Sequence, residues 1–251
     1  MMALLISSCR KDSADSPIFE INIEDEFSID LWEELREESR QFRFDIQTIE
    51  AKECDNYELE YDVLQADNRI DLTINNLVLN EGCNPNTSQI NTEVPLGSLQ
   101  SGTYFLQINL REEIINKGRL EISSDQYQLE MDSDHGIQVL REELFRVRPN
   151  SIWGYVAYSD SREQENAEQF IRDLGTISES HESPEGYYGY FTIDKEDQIN
   201  LHLDIEPNYE QTFLYRYEND EAILIELLDQ YRQTNGDKLE IKVFTASGAV
   251  L

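Results

Sequence analysis

The alternation of apolar and polar residues along positions 18–132 constrains the fold of this chain more than any other feature. In the stretch 42–47, Phe, Phe and Ile alternate with Arg, Asp and Gln, and residues 57–63 follow the same pattern. Side chains two positions apart lie on one face of a strand, so this period predicts half-buried strands. Six or seven such strands predict an all-β sandwich of immunoglobulin-like type over 18–132. Residues 32–40 break the pattern and predict a short helix or a polar edge segment.

A different pattern follows the predicted sandwich. Residues 133–150 are expected to form a linker, whose apolar residues from Ile137 to Val147 have loosely helical spacing and predict a connecting helix. In 151–251, two amphipathic helices lie among five strands, and the first opens with a capping box of Ser161 and Gln164. The order β-α-β-β-β-α-β predicts an α+β domain, loosely ferredoxin-like, with its helices on one face of a mainly antiparallel sheet.

The charge is strongly negative, with 52 acidic against 20 basic residues and a net charge of −32. Such a field repels phosphate backbones and anionic membrane surfaces, so we expect no nucleic-acid partner. One interpretation of the charge is attraction of cations or of a basic partner. The other is solubility, including adaptation to a salty medium, and the even spread of acidic residues along the chain favours it.

The three cysteines divide into one that stands apart and two that could pair. Cys54 and Cys83 would close a loop worth about 3.5 kcal/mol, in a bond that persists only in an oxidising compartment. Two buried thiols in a cytosolic protein are the alternative, which gives Cys9 no role. The histidines lie far from one another and from the cysteines along the chain, so no metal site is predicted.

The first eight residues, MMALLISS, are apolar, end in small residues before Cys9, and are too short to span a bilayer. Residues 6–9 resemble the recognition box of a lipoprotein signal peptide, and 1–8 would be its last part. The resemblance implies cleavage before Cys9, acylation of its thiol, and a polar tether over 9–17. No Lys or Arg precedes the apolar run, so either the true start lies upstream or this is an ordinary apolar terminus. We expect the lipoprotein, with the lipid as its only membrane contact.

Several short motifs lie between positions 54 and 104, namely Cys54 followed by Tyr57-Glu-Leu-Glu-Tyr61, Gly82-Cys83, Leu96-Gly-Ser-Leu99 and Gly102-Thr-Tyr104. With these motifs the chain resembles, over much of its length, a group of uncharacterised Bacteroidota surface lipoproteins. The resemblance implies an immunoglobulin-like amino-terminal domain and a place at the outer membrane or cell surface. It carries over positions of strands, turns and the disulfide, but no activity.

The sequence contains no recognised catalytic or phosphate-binding motif, so we expect a non-enzymatic protein without a cofactor. His202 is the most suggestive histidine, because a strand there would place Asp204 and Glu206 on its face. A general base with an orienting carboxylate has this arrangement, and so does the solvent face of any amphipathic strand. The acidic turn 194–197 could hold calcium, although hairpin tips are commonly acidic for solubility.

Aromatic residues are frequent in the second domain. Tyr188 and Tyr190 share one face of a predicted strand, where they would form a binding platform for a glycan or a protein, or else pack against the first domain or in the core. Three hypotheses follow. The first is a surface lipoprotein with a binding or structural role, the second a glycan-binding accessory protein of a polysaccharide-uptake system, and the third a hydrolase using scattered carboxylates and His202.

Overall fold

A computed structural model describes residues 23–37, 39–80 and 82–251, and in them the chain is mostly β with two α-helices. The sandwich part comprises the first twelve strands. In chain order they are β1 (Phe27–Leu35), β2 (Arg40–Thr48), β3 (Lys52–Cys54), β4 (Tyr57–Ala66), β5 (Arg69–Leu79), β6 (Pro85–Ser88), β7 (Asn91–Gly97), β8 (Gly102–Leu110), β9 (Ile114–Ile122), β10 (Gln126–Met131), β11 (Ile137–Val139) and β12 (Glu143–Phe145).

Two sheets enclose the core of the sandwich part. One has the order β11-β1-β2-β7 and the other β12-β10-β9-β8-β5-β4. The alternating residues identified in the sequence point inward, as Phe42, Phe44 and Ile46 do from β2. They meet inward residues of the larger sheet, such as Leu72 and Ile108, in one apolar cluster. The period-two pattern therefore predicted a real core.

The immunoglobulin-like topology is not confirmed. β11 pairs with β1 in parallel, and β5 pairs with β8 in parallel, whereas an immunoglobulin sandwich is built from antiparallel sheets. The strand β1 also replaces the helix or polar edge segment expected at 32–40, and it pairs along its whole length with β2.

The expected linker helix over 133–150 is wrong. The segment forms β11 and β12, which add one edge strand to each sheet of the sandwich part. Ile137 and Leu144 are buried in the sandwich core as strand residues. Their separation of seven positions fits a helix as well as two short strands, and the distant partners that favour strands cannot be seen in the local pattern.

The predicted disulfide between Cys54 and Cys83 is confirmed. The two Cα atoms lie 5.3 Å apart, and the bond joins the end of β3 to the start of β6. These two strands form a small separate sheet. The bond therefore closes a loop that contains β4 and β5, and it fastens the small sheet at the two ends of that loop.

The α+β part follows, with two helices and seven strands. In chain order they are β13 (Ser151–Tyr158), α1 (Gln164–Thr176), β14 (Glu179–Ser180), β15 (Gly186–Tyr187), β16 (Phe191–Ile193), β17 (Ile199–Leu201), β18 (Tyr209–Arg216), α2 (Glu221–Asn235) and β19 (Glu240–Thr245). Asp160 caps the short 3₁₀ turn before α1, in place of the predicted Ser161, and Asp220 caps α2.

The sheet of the α+β part has the order β14-β18-β13-β19, and both of its faces are covered. Phe170, Leu224 and Leu228 of the helices pack on one face, as predicted. The small sheet β15-β16-β17 and the end of β1 cover the other face around Trp153. Every residue of β13 is consequently buried. Within the described segments, no helix is long and apolar enough to cross a membrane.

Candidate functional site

A cleft of about 640 Å³ lies where the sandwich part meets the α+β part. We call it the junction cleft. Arg40 and Arg146 from the sandwich part and Asn150 and Tyr217 from the α+β side stand in its wall. Its other lining residues are Arg36, Glu37, Ser39, Ser98, Leu99, Pro149, Ser151, Ile152, Asn219, Glu221, Leu224, Thr245, Ala246 and Ser247.

A buried carboxylate fixes two arginines of this cleft. Glu33, only 4% exposed, accepts hydrogen bonds from Arg40 Nη1 at 3.1 Å and from Arg146 Nε at 2.9 Å. The hydroxyl of Tyr127 donates to the same carboxylate at 2.7 Å. Burial, and then the Glu33 charge, raise the pKa of Tyr127, so this phenol stays a donor. A buried charge with three donors is well compensated, and the arginines are held in place.

The mouth of the junction cleft mixes donors and acceptors. Arg36 is paired with Glu34 at 2.8 Å, and it lines the cleft together with Glu37 and Glu221. Asn150 is held in the left-handed region, with φ of 64°, by the turn that enters β13. The lining therefore offers guanidinium, amide and hydroxyl donors beside carboxylate acceptors, over an apolar floor that includes Leu99 and Ile152. Such a lining can hydrogen-bond a polar ligand from several sides.

A serine–histidine–serine chain lies next to the cleft. The Oγ of Ser151 is 2.7 Å from Nε2 of His181, whose Nδ1 is 2.7 Å from Oγ of Ser183. Burial, then the guanidiniums of Arg148 and Arg216, lower the pKa of His181. A neutral imidazole could accept a proton from Ser151, but Ser151 is only 1% exposed, which leaves a substrate no access. We interpret the chain as a support that holds residues 181–183 against β13. The sequence did not indicate it, since Ser151 lies 30 positions from His181 and the three residues form no motif.

His202 does not occupy the expected position on a strand face. β17 ends at Leu201, so Asp204 and Glu206 are not aligned with His202 on one strand. Instead, its Nε2 lies 2.8 Å from Oγ1 of Thr192, and its ring stacks on Tyr187 with centroids 5.1 Å apart. Both ring nitrogens have partners, because Nδ1 contacts the carbonyl oxygen of Gly189. The imidazole therefore stabilises the turn through these contacts. Among the residues that the structure describes, no carboxylate orients it, in contrast to the predicted general base.

Tyr188 and Tyr190 do not form an open platform, and the predicted ligand site on them is wrong. Tyr188 is only 4% exposed, and its ring stacks on Phe145 at a centroid distance of 5.4 Å. The hydroxyl of Tyr190 accepts from the backbone nitrogen of Leu35 at 3.1 Å and donates to the carbonyl of Glu33 at 3.2 Å. The predicted strand is interrupted between β15 and β16, and these rings pack against the sandwich part. The structure therefore has the rings packed, which was the alternative to a binding platform.

The remaining predicted positions have no catalytic or metal-binding geometry. In the turn at 194–197, the Asp194 carboxylate accepts from the backbone nitrogens of Glu196 and Gln198, at 3.0 and 2.8 Å. Across the part of the chain that the structure covers, no group of three or more His, Cys, Asp or Glu could hold a metal ion. Cys9, the proposed lipidation site, and the segments 1–8 and 9–17 lie outside the described residues.

No family model, curated protein or solved structure matches this chain. The junction cleft is the strongest candidate, because several elements contribute to it and its arginines are held by a buried partner.

Proposed function

We propose that this protein is a lipid-anchored protein of the cell envelope that acts by binding and not by catalysis. The observation that carries the proposal is the junction cleft, with its mixed donors and acceptors above the buried Glu33 carboxylate. The disulfide between Cys54 and Cys83 supports export, because such bonds persist in oxidising compartments. The lipoprotein-like segment before Cys9 supports an anchor at the outer membrane or cell surface.

A hydroxyl-rich ligand suits the cleft best, and we propose a glycan. Each sugar hydroxyl both donates and accepts, so it can use the arginines and the carboxylates of the lining together. Arg36 is paired with Glu34, and Arg40 and Arg146 are paired with Glu33. Glu37 and Glu221 add two further negative charges, so the lining does not select for an anion. The glycan would therefore bind in the junction cleft and not on Tyr188 and Tyr190. We do not extend the proposal to hydrolysis, because His202 and Ser151 lack the access or partners that hydrolysis needs.

A glycan array probed with the purified protein tests this function. Replacing Arg36→Ala together with Glu221→Gln should weaken binding of a retained glycan by about tenfold or more, because both groups stand at the mouth of the cleft. The control is Arg119→Ala, which removes an exposed arginine paired with Glu130 on the larger sheet. If the native protein, the double variant and the Arg119→Ala control bound a glycan equally, the binding site would lie outside the cleft. An array with no retained glycan would contradict the ligand class.

The anchor needs a separate measurement. Mass spectrometry of the protein from its native host should find Cys9 as an acylated first residue. An intact Met1 with an unmodified Cys9 thiol would overturn the lipid anchor, and the binding proposal would then stand on the cleft alone.

A further inference from the structure

One edge of the sheet in the α+β part is open. On one side β18 pairs with β13 through all 8 of its residues. On its other side β14 pairs only with Tyr215 and Arg216. No other strand in the described ranges pairs with residues 209–214 on that side. Backbone groups that point outward along this stretch are therefore a template for a further strand.

The open edge lacks the usual protection of edge strands. Proteins blunt such edges with proline, lysine or a β-bulge. The stretch 209–214 contains neither proline nor lysine, and its register with β13 runs without a shift. Its one charged side chain is Glu210. The regular edge can therefore form main-chain hydrogen bonds with an extended segment.

A groove of about 840 Å³ runs along this edge and gives an added strand room. One wall is the edge itself, from Glu210 to Tyr215, and the opposing lining comes from residues 181–183 and 197–199. His181 follows β14 directly, and its bonds to Ser151 and Ser183 hold the chain where pairing with β18 stops. The groove thus begins where β14 ends.

We propose that this groove binds an extended, basic segment of another protein, which adds to the sheet as a strand antiparallel to β18. The direction follows from β14, whose line the segment would continue and which is itself antiparallel to β18. Glu182, Asp197 and Glu210 line the groove, so lysine or arginine side chains on the segment gain from charge complementarity. A second copy of this chain is a poor occupant, because each copy carries a net charge of −32.

Peptide probes can test the pairing directly. The probe is an eight-residue peptide of alternating lysine with valine or threonine, labelled for fluorescence anisotropy and titrated with the full chain. N-methylation of alternate peptide amides removes donors from one side of the strand only. One methylation frame should weaken binding by about tenfold or more, and the other should leave it within about twofold. Equal effects of both frames, or equal binding of a glutamate analogue, would overturn the proposal.

Charge variants locate the site. Asp197→Lys with Glu210→Lys should weaken binding of the lysine peptide by about tenfold or more, because both carboxylates line the groove. The matched control is Glu226→Lys with Asp229→Lys, which makes the same charge change on the exposed side of α2. Equal weakening in both proteins would mean that the peptide senses only overall charge, and would exclude the groove. Self-association of the unliganded chain that the groove variant abolishes would make a second copy the occupant instead.

Discussion

At the scale of single residues, Glu33 links three strands and the segment after β12. Its carboxylate in β1 is bound by Arg40 of β2, Tyr127 of β10 and Arg146 just beyond β12. Burying these charges costs solvation free energy, and the cost is offset only while all partners are present. The network therefore fixes which side chains face the junction cleft more than it adds to stability.

Removal of the carboxylate should be costly for this reason. Glu33→Ala leaves the guanidiniums of Arg40 and Arg146 largely buried without their partner, and should lower the free energy of unfolding by about 3–5 kcal/mol in urea denaturation. Glu34→Ala, which breaks the exposed pair with Arg36, should cost about 0–1 kcal/mol. If Glu33→Ala and Glu34→Ala lowered the free energy of unfolding by similar amounts, the buried network would matter no more to stability than the exposed pair.

His181 should make stability depend on pH. Its pKa in the fold is lowered from 6.5, chiefly by burial, so the unfolded chain binds the proton more readily. The neutral ring contributes its full stability above pH 6.5, and this contribution is lost as the pH falls through the lower pKa of the folded chain. The free energy of unfolding should therefore fall less between pH 7 and pH 5 in His181→Gln than in the native chain. Above pH 7.5 the free energies of unfolding of the native chain and of His181→Gln should change in parallel with pH. If they also stayed parallel between pH 7 and pH 5, His181 would not be the source of the pH dependence.

At this scale the sequence predicted some positions and not others. Cys54 and Cys83 were predictable because disulfide chemistry leaves few choices among three cysteines. Tyr188, Tyr190 and His202 were placed wrongly because two-residue periodicity presumes an unbroken strand. The strands predicted at 187–193 and 199–205 are interrupted or end early in the structure. Residues of the junction cleft come from many separate segments, and no local pattern brings such segments together.

At the scale of elements, the small sheet formed by β3 and β6 depends on its disulfide. Its short strands pair only with each other, and the bond closes a loop with a separation of 29 residues. Replacing both cysteines by serine should lower the free energy of unfolding by about 3–4 kcal/mol. Denaturation with and without reductant measures this, and reductant should leave the double variant unchanged. If reductant left the free energy of unfolding of the native chain unchanged, the disulfide would not contribute to stability.

Elements were most predictable where one face is buried and the other exposed. β2 and β4 show this alternation, and the two helices of the α+β part were predicted from their amphipathic faces. β11 and β12 were not predictable, because three residues are too few to show a period. Their pairing with β1 and β10 depends on residues far away in the chain.

At the scale of the whole molecule, aromatic rings join the two parts. Tyr190 lies 4.9 Å from Trp32 of the sandwich part and 5.6 Å from Trp153 of the α+β part, measured between ring centroids. Around them, Leu35 and Val147 share an apolar cluster with Trp153 and Phe191. Each part has a core of its own, but neither keeps its full apolar contacts when the other unfolds.

The two parts should therefore unfold together. The chain has 2 tryptophans, so Trp153→Phe leaves a fluorescent reporter in the sandwich part and Trp32→Phe leaves one in the α+β part. In urea the two reporters should give coincident transitions, because the shared cluster couples the cores. Circular dichroism of each variant controls for changes in overall stability. Two well-separated midpoints would show that the parts unfold independently.

The contact between Gly248 and β1 has a consequence for the order of folding. A Cβ atom on Gly248 would lie 2.2 Å from the carbonyl oxygen of Leu35, so residues more than two hundred positions apart touch through their backbones. The parallel partner of β1, β11, also comes late, more than a hundred residues after it. While the chain emerges from a ribosome or a translocation channel, β1 has only its hairpin partner β2. Final closure waits for the segment after β19 that contains Gly248, and folds rich in contacts of long sequence separation form slowly, over milliseconds to seconds.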